Sequence, residues 1–194
     1  MKDNVRCAVI GAGWWGTTTH IPALLRHPKA ELVAVHHRDN ATPKKIATDF
    51  GIPRDVSSVE EILAIDEIDA VVISSTPNVH YQQAKACLDR GLHVLIEKPM
   101  TFTANEAREL VTLAAQRNVH FLISGPWHYT QHAIEAQQLI RTNALGQIKM
   151  IGVLMTNFCL GFFRGVPWDQ IFGDAETFET ASAPYLKPES HAMS

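Results

Sequence analysis

Cysteine is scarce: Cys7, Cys87 and Cys159 are the three in 194 residues. An odd number at wide spacing gives neither a disulfide framework for a small secreted fold nor a paired metal-ligand spacing, and a reducing cytoplasm fits such usage. Neither sign of charge dominates, with 17 Lys and Arg against 20 Asp and Glu and a formal net charge of -3. That balance supplies no field for nonspecific binding to nucleic acid or to an anionic membrane surface. No run of about 18 consecutive apolar residues occurs, so no membrane span is expected. The apolar stretch Cys7 to Ile10 is cut at once by glycines, which makes it a poor signal-peptide core. Repeats of fixed period are missing too, and compositional bias is confined to the Ala-, Ser- and Pro-rich Thr180 to Ser194. What is present is an ordinary globular composition, 46% hydrophobic and 19% charged.

Short apolar runs alternate with segments of helical period. Val5 to Ile10 reads as a strand buried on both faces, followed by a helix over Trp14 to Arg26. Glu31 to Val35, Asp55 to Val56, Ala70 to Ser75, Leu92 to Ile96 and Val119 to Ser124 read as further strands. Helices are expected over Pro43 to Phe50, for three turns after a capping box of Ser58 and Glu61, and over Val79 to Arg90. Thr103 and Glu106 form a second box opening a helix to Arg117, and Tyr129 to Arg141 is the last. Six strands with helical crossovers predict an α/β fold, a doubly wound parallel sheet of Rossmann type. Gln147 to Phe158 is longer and mixes Lys149, Thr156 and Asn157 with apolar residues, as in the first strand of a different sheet. Residues 1–146 are therefore read as one domain and 147–194 as the truncated start of a second α/β domain with a poorly ordered tail.

Gly11, Gly13 and Gly16 spell G-x-G-x-x-G between the first strand and its helix, the context that a dinucleotide fingerprint requires. Gly11 permits the tight turn, Gly13 removes a side chain that would block the pyrophosphate, and Gly16 lets the helix approach the sheet. Trp14 and Trp15 fill the variable positions, either flanking a cofactor or covering the sheet edge. At the end of the second strand, where an acid commonly binds the ribose 2'-hydroxyl, stand His36, His37 and Arg38. A planar, permanently cationic Arg38 suits a 2'-phosphate and favours NADP over NAD; the alternative leaves Arg38 solvated and lets Asp39 reach the ribose. Ser74, Thr76, Pro77, Asn78 and His80 lie at the end of the next long strand, where ligands bind in open sheets. Asn78 reads equally as a helix cap, and His80 as either a buried structural ring or part of a cofactor pocket.

The following strand ends in Glu97-Lys98-Pro99. Together with Ala8 to Gly16, Thr76-Pro77-Asn78 with His80, and Gly91-Leu92-His93-Val94, this resembles the glucose-fructose oxidoreductase and inositol dehydrogenase family, Gfo/Idh/MocA, over about Val5 to Phe158. The resemblance implies a nicotinamide-dependent oxidoreductase acting on a sugar, cyclitol or related polyol. It implies that Lys98 contacts the reacting hydroxyl, that Glu97 lies on the nicotinamide ribose side, and that the intact protein is a homo-oligomer. The chemistry agrees independently, because oxidising an alcohol needs hydride loss and proton loss, and a desolvated lysine can take or relay that proton.

Family members show an arginine beside an aromatic residue where this chain has Trp127, His128 and Tyr129, which leaves the role of His128 open. His128 and His132 share the i, i+4 spacing of zinc ligands, yet among ten histidines and with no acidic or thiol partner they are read as chance spacing, and no metal is expected. The family's second domain, an open sheet that covers the nicotinamide and carries further catalytic groups, is represented here by one strand only. This chain is therefore expected to be inactive alone, and a dinucleotide-binding sensor or regulatory module without turnover is the alternative reading.

Overall fold

A computed structural model describes residues 4–39, 42–154 and Arg164. Strands β1 (Val5–Ile10), β2 (Ala30–His36), β3 (Arg54–Val56), β4 (Ala70–Ile73), β5 (His93–Ile96) and β6 (Phe121–Ile123) form one sheet in the order β3-β2-β1-β4-β5-β6. Every pairing is parallel, so the chain crosses over between strands by helices. These are α1 (Ile21–Arg26), α2 (Thr42–Phe50), α3 (Val59–Leu63), α4 (His80–Asp89) and α5 (Ala104–Arg117), with α6 (Gln131–Arg141) after the sheet. The doubly wound parallel sheet read from the sequence is present.

Side chains alternate across the pleat, and both faces are buried. Ala8, Ile10, Val71, Ile73, Val94 and Ile96 pack with Leu88 and Leu110 of α4 and α5 on one face. Val9, Leu32, Val35 and Val72 pack with Ile21 and Ile46 on the other. This is why the strands read as apolar runs rather than as alternating patterns. Each fully buried isoleucine among them contributes about 1.5–3 kcal/mol.

Several boundaries differ from the sequence reading for local reasons. The helix expected over Trp14 to Arg26 contains a π-helical turn at Gly16–His20 before α1. At α3 the capping box is only half made: Ser58 accepts from the Glu61 amide, but the Glu61 carboxylate accepts from Ser57. The helix is five residues long rather than three turns, and the chain leaves it at Ala64 so that Ile65 and Ile68 also enter the core. The Thr103–Glu106 box is complete, and α5 runs for 14 residues.

The chain divides into two compact units, Met1–Pro126 and Trp127–Ser194. The strand expected over Gln147 to Phe158 is not formed in its described part, 147–154. A strand needs a neighbour to take its backbone hydrogen bonds, and Ile148, Met150, Ile151, Val153 and Leu154 are exposed here instead. Residues 155–158 and the tail from Thr180 lie outside the described residues. Among the described residues no helix is long and apolar enough to cross a membrane.

Candidate functional site

Strand order reverses between β1 and β4, and the carboxyl ends of those two strands carry the glycine turn and Ser74. In open α/β sheets ligands bind in the crevice at this switch point. The turn is tied to both neighbours. The amides of Gly11 and Ala12 both donate to the carbonyl of His36 at the end of β2, and the Ser74 amide donates to the Ile10 carbonyl.

The three glycines do three different things. Gly11 has φ +84°, and a Cβ there would strike the Ser75 backbone. A Cβ on Gly16 would stand 3.2 Å from the Gly11 carbonyl oxygen, so the helix sits close against the turn. Gly13 has nothing within 4 Å of its Cβ direction, which leaves open space over the start of the helix. Thr17 and Thr18 donate their hydroxyls back to the carbonyls of Gly13 and Trp14, fixing the first turn.

A cleft of about 430 Å³ runs from the glycine turn between the ends of β2 and β4. Of the residues picked from sequence it is lined by Gly11, Gly13, His36, His37, Arg38, Ser74, Thr76 and Asn78. The hydroxyl of Ser74, which lines the cleft, is buried with no hydrogen-bond partner among the described residues. A second cavity of about 380 Å³ adjoins it at Gly13 and His37 and is lined also by Trp14, Thr42 and Lys45. Arg38 is exposed, whereas the Asp39 carboxylate accepts the Thr42 hydroxyl at 2.8 Å at the start of α2. The sequence reading passed over Ser75, Val79 and Gln83, which also line the cleft. Ser75 and Gln83 share a side-chain hydrogen bond across 2.5 Å, linking the strand end to α4.

His80 does not line this cleft. Its ring is fully buried, with Nδ1 2.8 Å from the Pro99 carbonyl and Nε2 3.0 Å from the Ser75 carbonyl. It ties the β4 end to the turn that follows β5. In that turn Glu97 is 7% exposed. Its Oε1 accepts from the Trp15 indole at 2.8 Å and the His20 ring at 2.9 Å, and its Oε2 from the Lys98 amide at 3.1 Å. Burial pushes the carboxyl pKa up, but hydrogen bonds from Ser124, His20, Trp15 and the Lys98 amide outweigh that and hold it below the ordinary value. A carboxylate offers about four lone-pair directions, and these donors occupy both Glu97 oxygens. Lys98 itself is exposed, and among the described residues its ammonium has no ion-pair or hydrogen-bond partner. The desolvation that the chemistry calls for is not supplied by the described residues.

The partnership of His20 with Glu97 is not legible in the sequence, because the two are 77 positions apart. The π turn ending at His20 inserts an extra residue into the helix and re-phases the side chains after it. His132 has its Nε2 3.1 Å from the Thr130 hydroxyl, and His128 stacks at a tilt on Tyr129 with centroids 4.6 Å apart. Among the described residues no group of three or more His, Cys, Asp or Glu stands together as metal ligands would.

Sheet order, fingerprint turn and open cradle together define a Rossmann-type dinucleotide-binding domain. Residues 5–124 match the Gfo/Idh/MocA model, described as an oxidoreductase family with an NAD-binding Rossmann fold, and the chain belongs to that family. An uncharacterised oxidoreductase of Synechocystis sp. is 38% identical over 152 residues, covering 78% of this chain and 41% of that protein. A dTDP-3,4-didehydro-2,6-dideoxy-alpha-D-glucose 3-reductase of Streptomyces antibioticus is 33% identical over 156 residues, covering 80% of this chain and 47% of that protein. The solved structure of GenD2 from gentamicin A biosynthesis in complex with NAD is 29% identical, with a TM-score of 0.68 over 74% of this chain and 41% of that one. The chain thus spans less than half the length of the relatives it matches.

Proposed function

We propose that this chain is the dinucleotide-binding part of an oxidoreductase that moves hydride between a nicotinamide cofactor and a sugar, cyclitol or related polyol. The observation that carries it is the placement of the open Gly13 cradle after β1 and of Lys98 after β5, with Ser74 to Thr76 following the strand between them. Bound nicotinamide supplies the hydride donor or acceptor. Trp14 and the residues after it present the amide end of a helix to the pyrophosphate, Gly13 leaves the room for it, and the buried Ser74 hydroxyl gains a partner. Lys98 holds or relays the proton of the substrate hydroxyl. The sugar-nucleotide reductase among the relatives supports the substrate class.

NADP is the preferred dinucleotide in this reading. Asp39 is engaged by Thr42, while Arg38 is exposed at the cleft and able to meet a 2'-phosphate. The full-length protein is a cytoplasmic homo-oligomer. Calorimetric titration with NADP+ and NAD+ tests the cofactor assignment. NADP+ binds more tightly, by a margin that shrinks as salt rises, and Arg38→Asp reverses the order. Equal loss of both dinucleotides in that variant, or no loss, overturns the role of Arg38.

A further inference from the structure

Lys98 stands between two residues whose places are set by buried imidazoles. On its amino side Glu97 is held by His20, a ring 8% exposed, and by the Trp15 indole. On its carboxyl side Pro99 is held through its carbonyl by the fully buried His80. The anchors lead back to the cleft by two routes. Trp15 lies inside the glycine fingerprint and His20 five residues further along the same helix; the other nitrogen of His80 reaches Ser75, on the cleft wall.

A buried carboxylate is costly unless donors satisfy it. Here the donors come from the glycine-turn helix and from the backbone of Lys98, not from the Lys98 ammonium. Two consequences follow. The negative charge nearest to Lys98 in sequence is spent on Trp15 and His20, and among the described residues the amine has no partner. The Lys98 backbone is also joined to the fingerprint turn through a single carboxylate, with Trp15 Nε1 and Lys98 N donating to its two oxygens.

We propose that Trp15 and His20 are positioning residues for Lys98: through Glu97 they lock the Glu97-Lys98-Pro99 turn to the glycine turn, so that a dinucleotide seated on Gly13 fixes the lysine. This rests on the reading of Lys98 as the substrate-facing lysine. A dinucleotide orders the start of the helix that carries Trp15, and the shared carboxylate passes that order to the Lys98 amide. His80 anchors the far side of the turn to Ser75, and the lysine is left as the exposed group of an otherwise fixed segment.

The test is hydrogen exchange and 1H–15N NMR on the uniformly labelled 194-residue chain, reading the Lys98 amide, the Trp15 indole and the Gly13 amide. Without ligand, His20→Ala speeds exchange of the Lys98 amide by roughly fivefold or more, the scale of one net hydrogen bond, and shifts the Trp15 indole. His20→Gln places an amide N–H where Nε2 stood and restores both signals, whereas a purely space-filling role for His20 predicts no such rescue. With saturating NADP+, Lys98 exchange slows in step with the Gly13 shift in the wild type, and in His20→Ala the Gly13 signal still moves while Lys98 no longer responds. Trp15→Phe, at a position 39% exposed, gives the same comparison if His20→Ala does not fold. Wild-type Lys98 exchange in these variants, or a Lys98 signal unmoved while Gly13 shifts in the wild type, overturns the proposal. A Gly13 signal unmoved by NADP+ overturns the dinucleotide reading instead, and the ligand-free comparison then decides the positioning role alone.

Discussion

Two glycines two residues apart in the same turn are predicted to fail in opposite ways. Gly11→Ala puts a methyl group into the Ser75 backbone, with the Ser75 Cβ only 2.7 Å away, at a φ of +84°. The left-handed backbone costs an L residue about 1–2 kcal/mol, and forcing β1 and β4 apart costs about 1–3 kcal/mol more. The total of about 2–5 kcal/mol is a large share of a domain stability of about 5–15 kcal/mol. At about 4 °C per kcal/mol the melting temperature falls by about 8–20 °C. Gly13→Val meets no atom within 4 Å of its Cβ, so its stability stays within about 0.5 kcal/mol of wild type. The valine fills the cradle instead, and NADP+ affinity drops by about 100-fold or more, the equivalent of about 2.7 kcal/mol. Thermal unfolding by circular dichroism and calorimetric titration separate the two effects. A wild-type melting curve for Gly11→Ala refutes the packing account, and undiminished NADP+ binding by Gly13→Val refutes the cradle.

Burial pushes the Cys7 thiol up to about 11, with Asp69 adding to it, and burial alone pushes Cys87 up to about 12. At pH 8 about one Cys7 in a thousand is a thiolate, so a Cys159→Ser chain takes up no thiol reagent until unfolded and then takes up two equivalents; rapid native labelling counts against this core. The folded Glu97 carboxyl lies below its ordinary 4.5, so its ionised form lends stability in full above about pH 4.5 that is lost as pH falls through the folded value. Burial first, then His37, hold His36 below 6.5 against the opposing pull of Glu60, Glu61 and the Ser57 backbone, and its contribution is whole above 6.5 and lost as pH falls toward the folded value. Melting temperature followed from pH 8 downward therefore declines in two stages; Glu97→Gln removes the lower and His36→Gln the upper, and an unaltered acid limb in both variants defeats the assignment. In a chain of the relatives' full length, Lys98→Met lowers turnover by about two orders of magnitude with cofactor affinity kept, and a steady-state assay with normal turnover removes Lys98 from the reaction.

The fold was legible because its signals are local and repeated. Buried strands such as Ala70–Ile73 read as apolar runs, Gly51 and Gly91 stop the helices before them, and the Thr103–Glu106 box sets the start of α5. The glycine turn at the cleft was equally plain, since Gly11, Gly13 and Gly16 act through their own backbone. What stayed hidden was contact between remote segments. Nothing near His20 announces Glu97, and nothing near His80 announces Pro99. The strand expected over Gln147 to Phe158 turns on the same kind of contact: its partial alternation is visible, but a strand exists only with a neighbour, and among the described residues 147–154 pair with none. Ser58 and Glu61 show a subtler limit, in which the right residues at the right spacing bond one position away from the expected donor.

Position and solvation of the lysine are supplied separately. Glu97 and Pro99 are fixed by buried rings on either side, so the turn holds its place without any help from the lysine side chain. Lys98 itself is exposed. A proton acceptor needs the opposite, a site from which water is excluded. In the function proposed above, a bound substrate is the group able to displace that water. On the proposal that Trp15, His20 and Glu97 couple the Lys98 turn to the glycine turn, a bound cofactor sets the geometry first and exclusion of water follows.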